Sequence, residues 1–167
     1  MNYSRIQRSD MSNGPGNRVS LFVSGCEHLC KGCFNQAAMR YDAGSEFTND
    51  NMLEILKALE SPYIDGFSLL GGDPLAPKNR EVVGDIVRTV KYHQPLKSIW
   101  LWTGYYFDDI KDSCKDILDS IDVLVDGPYD KALPAVRWRG SSNQSIYHRT
   151  NGKDFLKINE KMLDCLS

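Results

Sequence analysis

Three cysteines stand close together in this sequence: Cys26, Cys30 and Cys33, spaced as C-x3-C-x2-C. Thiolates are the preferred ligands of zinc and of iron–sulfur clusters. A structural zinc site is closed by four protein ligands, and an electron-transfer cluster also takes four cysteines. Here the fourth cysteine is missing nearby. We therefore expect a 4Fe–4S cluster held by three thiolates, with one iron open to a substrate or cofactor.

Two other interpretations of these thiols remain open. His28 lies between the first two cysteines and could complete a zinc site, although its ligands would be unusually crowded. The three cysteines could also be structural. The other two are Cys114, expected in the core, and Cys165, expected to be incidental in the tail. An odd number of cysteines and no visible secretory signal argue against a disulfide framework and favour a cytoplasmic protein.

A second motif, Gly71-Gly72-Asp73-Pro74, follows an apolar segment. Glycines allow a ligand to approach the backbone closely, because they carry no Cβ. Alone, this motif would be only a turn. It gains meaning if it lies at the same edge of a sheet as the three cysteines.

Apolar segments of two kinds must position these motifs. Strands are predicted at 19–25, 64–70, 98–103 and 121–126. Helical spacing predicts helices at 49–60, with Thr48 as N-cap, at 79–92, and around 110–118. Strands that alternate with helices predict βαβ units, a parallel sheet and therefore the α/β class.

Parallel strands joined by right-handed crossovers all end at one edge of the sheet, where ligands bind in such folds. Four loops should converge there: the cysteine loop (residues 26–33), residues 71–74, residues 103–105 and residues 126–129. Asp126 is a candidate positioning residue, since it ends the fourth predicted strand.

Length and composition narrow the class of protein. The chain has 167 residues, 41% hydrophobic and 25% charged, which is typical of one globular domain. A net charge of −2 argues against nucleic-acid binding, and no apolar run is long enough to span a membrane. Residues 131–153 carry five cations and no acid, either as a solvated loop or as a surface for an anion or acidic partner.

Six motifs carry a resemblance to a known family. They are Asn13–Arg18 (NGPGNR), Cys26–Asn35 (CEHLCKGCFN), Gly71–Leu75 (GGDPL), Thr103–Tyr105 (TGY), Val125–Tyr129 (VDGPY) and Trp138–Gln144 (WRGSSNQ). Together and in this order they resemble the radical S-adenosylmethionine (SAM) enzymes. Within that superfamily they are similar to glycyl-radical activating enzymes, specifically the activators of anaerobic ribonucleoside-triphosphate reductase.

The resemblance implies a cofactor chemistry. In that family SAM chelates the open iron, and an electron from the reduced cluster cleaves SAM to methionine and a 5′-deoxyadenosyl radical. The radical removes a hydrogen atom from one glycine of the reductase. The electron donor is typically flavodoxin or a similar low-potential protein.

The resemblance also implies site residues. The three loop cysteines would ligate the cluster, and Gly32, Cys33 and Phe34 would line SAM. The methionine end of SAM would be held by Gly71, Gly72 and Asp73, where aspartate replaces the more common glutamate. Asn35 would cap the turn after the cluster, and Arg139 would contact the cofactor carboxylate or the reductase.

The implied fold is a shortened, open (β/α) partial barrel of mostly parallel strands, because a full (β/α)8 barrel takes about 250 residues. We expect one domain over residues 1–167, with a core at about 13–144 and a less regular segment at 145–167. Two alternatives to the reductase activator stay open. One is another radical SAM enzyme, such as a pyruvate formate-lyase activase, and the other is a zinc-binding interaction module.

Overall fold

One open sheet organises the part of the chain that the structure, a computed structural model, describes: residues 1–150, 152 and 154–163. Its strands are β1 (Asn2–Asp10), β2 (Arg18–Val23), β3 (Ser45–Glu46), β4 (Gly66–Gly71), β5 (Ser98–Trp102), β6 (Val123–Asp126), β7 (Ser145–Thr150) and β8 (Asp154–Ile158). They lie in the order β3-β1-β2-β4-β5-β6-β7-β8 across the sheet. The α/β class predicted from the sequence is confirmed.

The helices of the described residues are short to medium in length. They are α1 (Asn49–Leu59), α2 (Arg80–His93), α3 (Phe107–Ile110), α4 (Lys115–Leu118) and α5 (Glu160–Leu163), with a 3-10 helix at Gln36–Ala38. Thr48 precedes α1 as expected, and its backbone N–H donates to Asn51 Oδ1 at 2.9 Å. Among these residues, none of the helices has the length and apolar character needed to cross a membrane.

The central strands β2, β4, β5 and β6 are parallel, as the sequence predicts. Val19 pairs with Phe67, and Phe67 pairs with Ile99 in the next strand. These side chains are fully buried beneath the helices, in a core shared with α1 and α2. Apolar burial on this face is the main force holding helices and strands together. Because β2, β4, β5 and β6 are parallel, their carboxyl ends lie at one edge of the sheet.

The expectation of mostly parallel strands is wrong, because four of the seven strand pairings are antiparallel. On one side, β1 pairs with β2 and β3. On the other, β7 pairs with β6 and β8. These flanking strands are only partly buried, so they lack the continuous apolar runs that mark central strands in a sequence. Within the described residues the two end strands of this order, β3 and β8, do not pair with each other, so the sheet is open.

The second face of the sheet holds a buried cation. Arg18 is fully buried, and its guanidinium donates to Ser68 Oγ at 2.7 Å and to Ser98 O at 2.8 Å. Further donation goes to the carbonyls of Pro15 and Phe67. Burial lowers the pKa of Arg18 to about 10, so it is charged at neutral pH. These bonds fix the loop before β2 against the sheet.

The predicted third helix is divided into α3 and α4. The helical spacing identified its buried face correctly, since Ile110, Cys114 and Ile117 are all buried. The intervening residues 111–114 form turns. Aspartate and serine in this segment compete for backbone hydrogen bonds and weaken a continuous helix. Cys165 lies outside the described residues.

Candidate active site

The cysteine loop starts where β2 ends, and backbone hydrogen bonds hold its first residues. Gly25 N–H donates to Ala38 O at 2.8 Å, and Cys26 N–H donates to Met39 O at 3.0 Å. At the far end, Asn35 N–H donates to Cys33 Sγ at 3.4 Å. Asn35 precedes the 3-10 helix, but its side chain makes no capping bond there. The backbone of the loop is therefore fixed at both ends.

All three loop cysteines border one cavity of about 520 Å³ at the carboxyl edge of the parallel strands. This volume lies within the usual range of about 300–1,000 Å³ for small-molecule sites. Residues of all six sequence motifs line it: Asn13, Cys26, Cys30, Cys33, Phe34, Asn35, Gly71, Gly72, Thr103, Gly104, Gly127, Tyr129, Trp138, Arg139, Gly140 and Gln144. The predicted convergence of four loops is therefore seen directly.

The donor set suits an iron–sulfur cluster. The three loop cysteines are partly buried and form no disulfide. Burial raises the pKa of the Cys26 thiol, so binding a cluster must displace a proton from it. Among the described residues, no three His, Cys, Asp or Glu side chains converge closely enough to hold a single metal ion. The three cysteines do share one cavity, and thiolates are the usual ligands of such a cluster.

His28 borders the cavity together with the cysteines, and Asp73 engages one nitrogen of its ring. Its Nε2 lies 2.7 Å from Asp73 Oδ2, and its ring packs edge-on against Tyr105 with the centroids 4.3 Å apart. The side chain is only 17% exposed. His28 thus joins the cysteine loop to the loops after β4 and β5.

Gly71, the last residue of β4, and Gly72, which follows it, form one wall of the cavity. Gly72 N–H donates to Val23 O at 2.7 Å, which brings this loop against the end of β2. A Cβ at Gly72 would stand 2.5 Å from Gly25 O and 2.8 Å from Ala38 O. Only glycine fits there, because the obstacles are backbone atoms. The close approach keeps the wall next to the cysteine loop.

Three of the predicted site residues do not line the cavity. Gly32 lies against Lys131, whose Cδ would be 2.5 Å from an added Cβ. Asp73 is buried beneath the wall. Asp126 is also buried, and it accepts bonds from Phe107 N–H at 2.8 Å and Ser145 N–H at 3.2 Å. Burial raises the pKa of Asp126, although both bonds oppose this.

Some lining residues were missed by sequence reasoning. Arg5 comes from β1, a flanking strand without an apolar signal, and Phe22 and Trp102 come from β2 and β5, on the same face of the sheet as Arg18. Alternation along a strand could have indicated Phe22, since it shares a face with Arg18. Nothing in the sequence indicated that Arg5 would reach the site.

Comparison with known proteins establishes the class and then the family. Residues 12–147 match the family model described as a 4Fe-4S single cluster domain, which places the chain among iron–sulfur proteins. A relative from Enterobacteria phage T4 is 48% identical over 153 residues, covering 91% of this chain and 97% of the relative. Relatives from Vibrio cholerae (45% identical, 90% of this chain, 99% of the relative) and Escherichia coli K12 (42%, 89% and 99%) carry the same name. The chain belongs to the family of anaerobic ribonucleoside-triphosphate reductase-activating proteins. This confirms the resemblance inferred from the motifs and the iron–sulfur activating enzyme it implied.

Proposed function

We propose that this chain activates an anaerobic ribonucleoside-triphosphate reductase by cleaving SAM reductively and generating a glycyl radical on the reductase. The observation that carries this proposal is the meeting of three loop thiols and a glycine wall around one cavity. The names of the relatives supply the target. When bound, the cluster and SAM together supply reductive cleavage of the sulfonium and hydrogen abstraction from a glycine.

The residues of this chain take distinct roles in the proposal. The thiolates of the cysteine loop hold three irons. The backbone of Gly71 and Gly72 holds the methionine end of SAM, and Phe34 forms a side wall. Gly32 shapes the loop through its contact with Lys131, since it does not border the cavity. The buried Asp126 fixes the starts of α3 and β7.

Arg139 borders the cavity and gives it a positive charge beside the cysteines. Its Nη1 donates to Gln144 O at 3.2 Å, and burial lowers its pKa. A cation held in this way can attract the carboxylate of a bound amino-acid group. We propose that Arg139 binds the cofactor carboxylate and that the other cations of residues 131–153 contact the reductase.

The open sheet suits a macromolecular substrate. A closed (β/α)8 barrel would surround the cavity, whereas the sheet of the described residues ends at β3 and β8 without closing. We propose that it is a shortened radical SAM fold. A glycine-bearing loop of the reductase can then reach the cavity. We assign all 167 residues to one domain, and we place it in the cytoplasm with flavodoxin or a similar protein as electron donor.

Metal content and SAM turnover test the proposal. Chain purified without oxygen should contain about four irons and should cleave SAM when dithionite is added. Zinc without iron would instead identify an interaction module. Iron with SAM cleavage, but with no radical on the reductase, would indicate a different radical SAM enzyme, such as a pyruvate formate-lyase activase.

A further inference from the structure

We propose that Asp73 is a positioning residue that fixes the cysteine loop through His28 and does not bind the cofactor. The inference rests on the proposed function for its effect on turnover, but its structural part concerns the iron-free chain alone. Asp73 follows the glycine wall directly, yet its carboxylate lies beneath the cavity and not in its lining.

The carboxylate of Asp73 is 1% exposed and joins three loops. Its Oδ1 accepts from Leu75 N–H at 2.8 Å, within its own loop. The hydroxyl of Thr103 lies 2.9 Å from Oδ1, and Gly104 N–H donates to Oδ2 at 2.9 Å, both from the loop after β5. His28 of the cysteine loop lies 2.7 Å from Oδ2.

These partners require an acceptor at both oxygens. Leu75 N–H donates to Oδ1 and Gly104 N–H donates to Oδ2. A backbone N–H can only donate a hydrogen bond, so each oxygen must act as an acceptor. An asparagine at position 73 would point its NH2 group at either Leu75 N–H or Gly104 N–H. One backbone donor would then lose its partner while buried, which is costly. The isosteric amide therefore cannot replace the carboxylate.

His28 is held from its other sides as well. A Cβ at Gly104 would stand 2.4 Å from His28 Cδ2, so the imidazole lies directly on the Gly104 backbone. Tyr105 packs against the ring edge. His28 lies two residues from both Cys26 and Cys30, so the contacts of its ring anchor the segment of the loop between these two cysteines. Thr103 and Gly104 border the same cavity.

Asp73 thus sets the distance between the cysteine side and the β5 side of the cavity. This differs from the role that the family resemblance implied, in which Asp73 holds the methionine end of SAM with the two glycines. In this chain both carboxylate oxygens already accept from protein donors, Leu75 N–H on Oδ1 and Gly104 N–H on Oδ2, with Thr103 Oγ1 within 3.0 Å of each.

The structural part is tested on the iron-free chain with Asp73→Asn, His28→Ala and the double variant. Asp73→Asn should lower the midpoint of thermal unfolding by about 4–8 °C. It should also speed amide hydrogen exchange in residues 26–33 by about tenfold. His28→Ala should cost less stability when it is added to Asp73→Asn than it costs in the wild-type chain, because both substitutions act on the same bond. Additive effects, or unchanged exchange in the cysteine loop, would overturn the proposal.

The matched control is Asp122→Asn at the opposite end of the sheet. Asp122 also accepts from a backbone N–H, that of Ile99 at 2.8 Å, and from Lys91 Nζ. This variant should lose stability without faster exchange in the cysteine loop. Equal acceleration by both variants would show that Asp73 acts only through global stability and would refute positioning.

The functional part is tested with the iron-loaded protein. For Asp73→Asn, kcat/KM for SAM cleavage per bound cluster should fall about 10–100-fold while iron content stays near wild type. His28→Gln, which keeps an N–H at a similar reach, should retain most of the activity that His28→Ala loses. Wild-type turnover per cluster in Asp73→Asn would refute the positioning role. If the wild-type chain binds no iron, the proposed function is refuted, whereas the hydrogen-exchange result on the iron-free chain still tests the positioning role.

Discussion

Replacing Gly104 by alanine is expected to push His28 away from Asp73. The added Cβ would lie 2.4 Å from His28 Cδ2 and 2.7 Å from Nε2. Ordinary carbon contacts begin at about 3.5 Å, so the ring must retreat by about 1 Å. Its bond to Asp73 is 2.7 Å long, and such a retreat takes it beyond hydrogen-bonding range.

The cost of this substitution follows from two opposing effects. Losing a hydrogen bond to a charged group costs about 1.5–3 kcal/mol. Replacing glycine by alanine restricts the unfolded chain, which returns about 0.4–1 kcal/mol. The free energy of unfolding should therefore fall by about 1–2 kcal/mol, which is about 2–8 °C in the thermal midpoint for a chain of this size.

Thermal and urea unfolding of the iron-free protein provide the assay, with Gly84→Ala as the control. Gly84 lies inside α2, and the atoms nearest to a Cβ added there would belong to the flexible end of the Arg88 side chain. The same chemical change there should stabilise the helix by about 0.5–1 kcal/mol. A Gly104→Ala protein as stable as wild type would refute the tight seating of His28.

Three further predictions concern other parts of the chain. Alanine at any one of the three loop cysteines should abolish iron binding and SAM cleavage, whereas Cys114→Ala should keep the iron and lose only stability, as metal analysis and unfolding will show. Asp126 has a raised pKa, so the stability it contributes is present below about pH 4 and lost as the pH rises through its folded-state value. In urea unfolding across this range, Asp126→Asn should therefore gain stability relative to wild type with rising pH; a parallel profile would contradict this. Leu29 is 72% exposed with φ of 50°, so Leu29→Asn should stabilise the iron-free chain by about 1 kcal/mol, and a loss of stability would argue against strain there.

The central strands could be predicted from the sequence because burial on both faces leaves continuous apolar runs. The segments predicted at 98–103 and 121–126 correspond closely to β5 and β6. The flanking strands could not be predicted in the same way. In β1 the partly buried and exposed positions come in pairs and do not alternate, so the period-two signal of a strand is missing. Its conformation depends on pairing with β2, which local sequence does not encode.

The sequence predicted which loops meet at the site, but it did not predict the direction in which each side chain points. Parallel strands bring their ends to one edge, so the cysteines and Gly72 had to be neighbours. The sequence could not show that the Asp73 carboxylate points beneath the cavity. That direction depends on donors from Thr103 and Gly104, about thirty residues away in the chain and brought close only by folding.

Electron paramagnetic resonance of the reductase tests the central claim most directly. The anaerobically purified chain is mixed with SAM, dithionite and an anaerobic ribonucleoside-triphosphate reductase, and the spectrum is compared with that of a mixture containing the Cys30→Ala variant. The proposed function predicts a glycyl radical signal with the wild-type chain only. An iron-loaded wild-type chain that cleaves SAM yet leaves no radical on the reductase would contradict it.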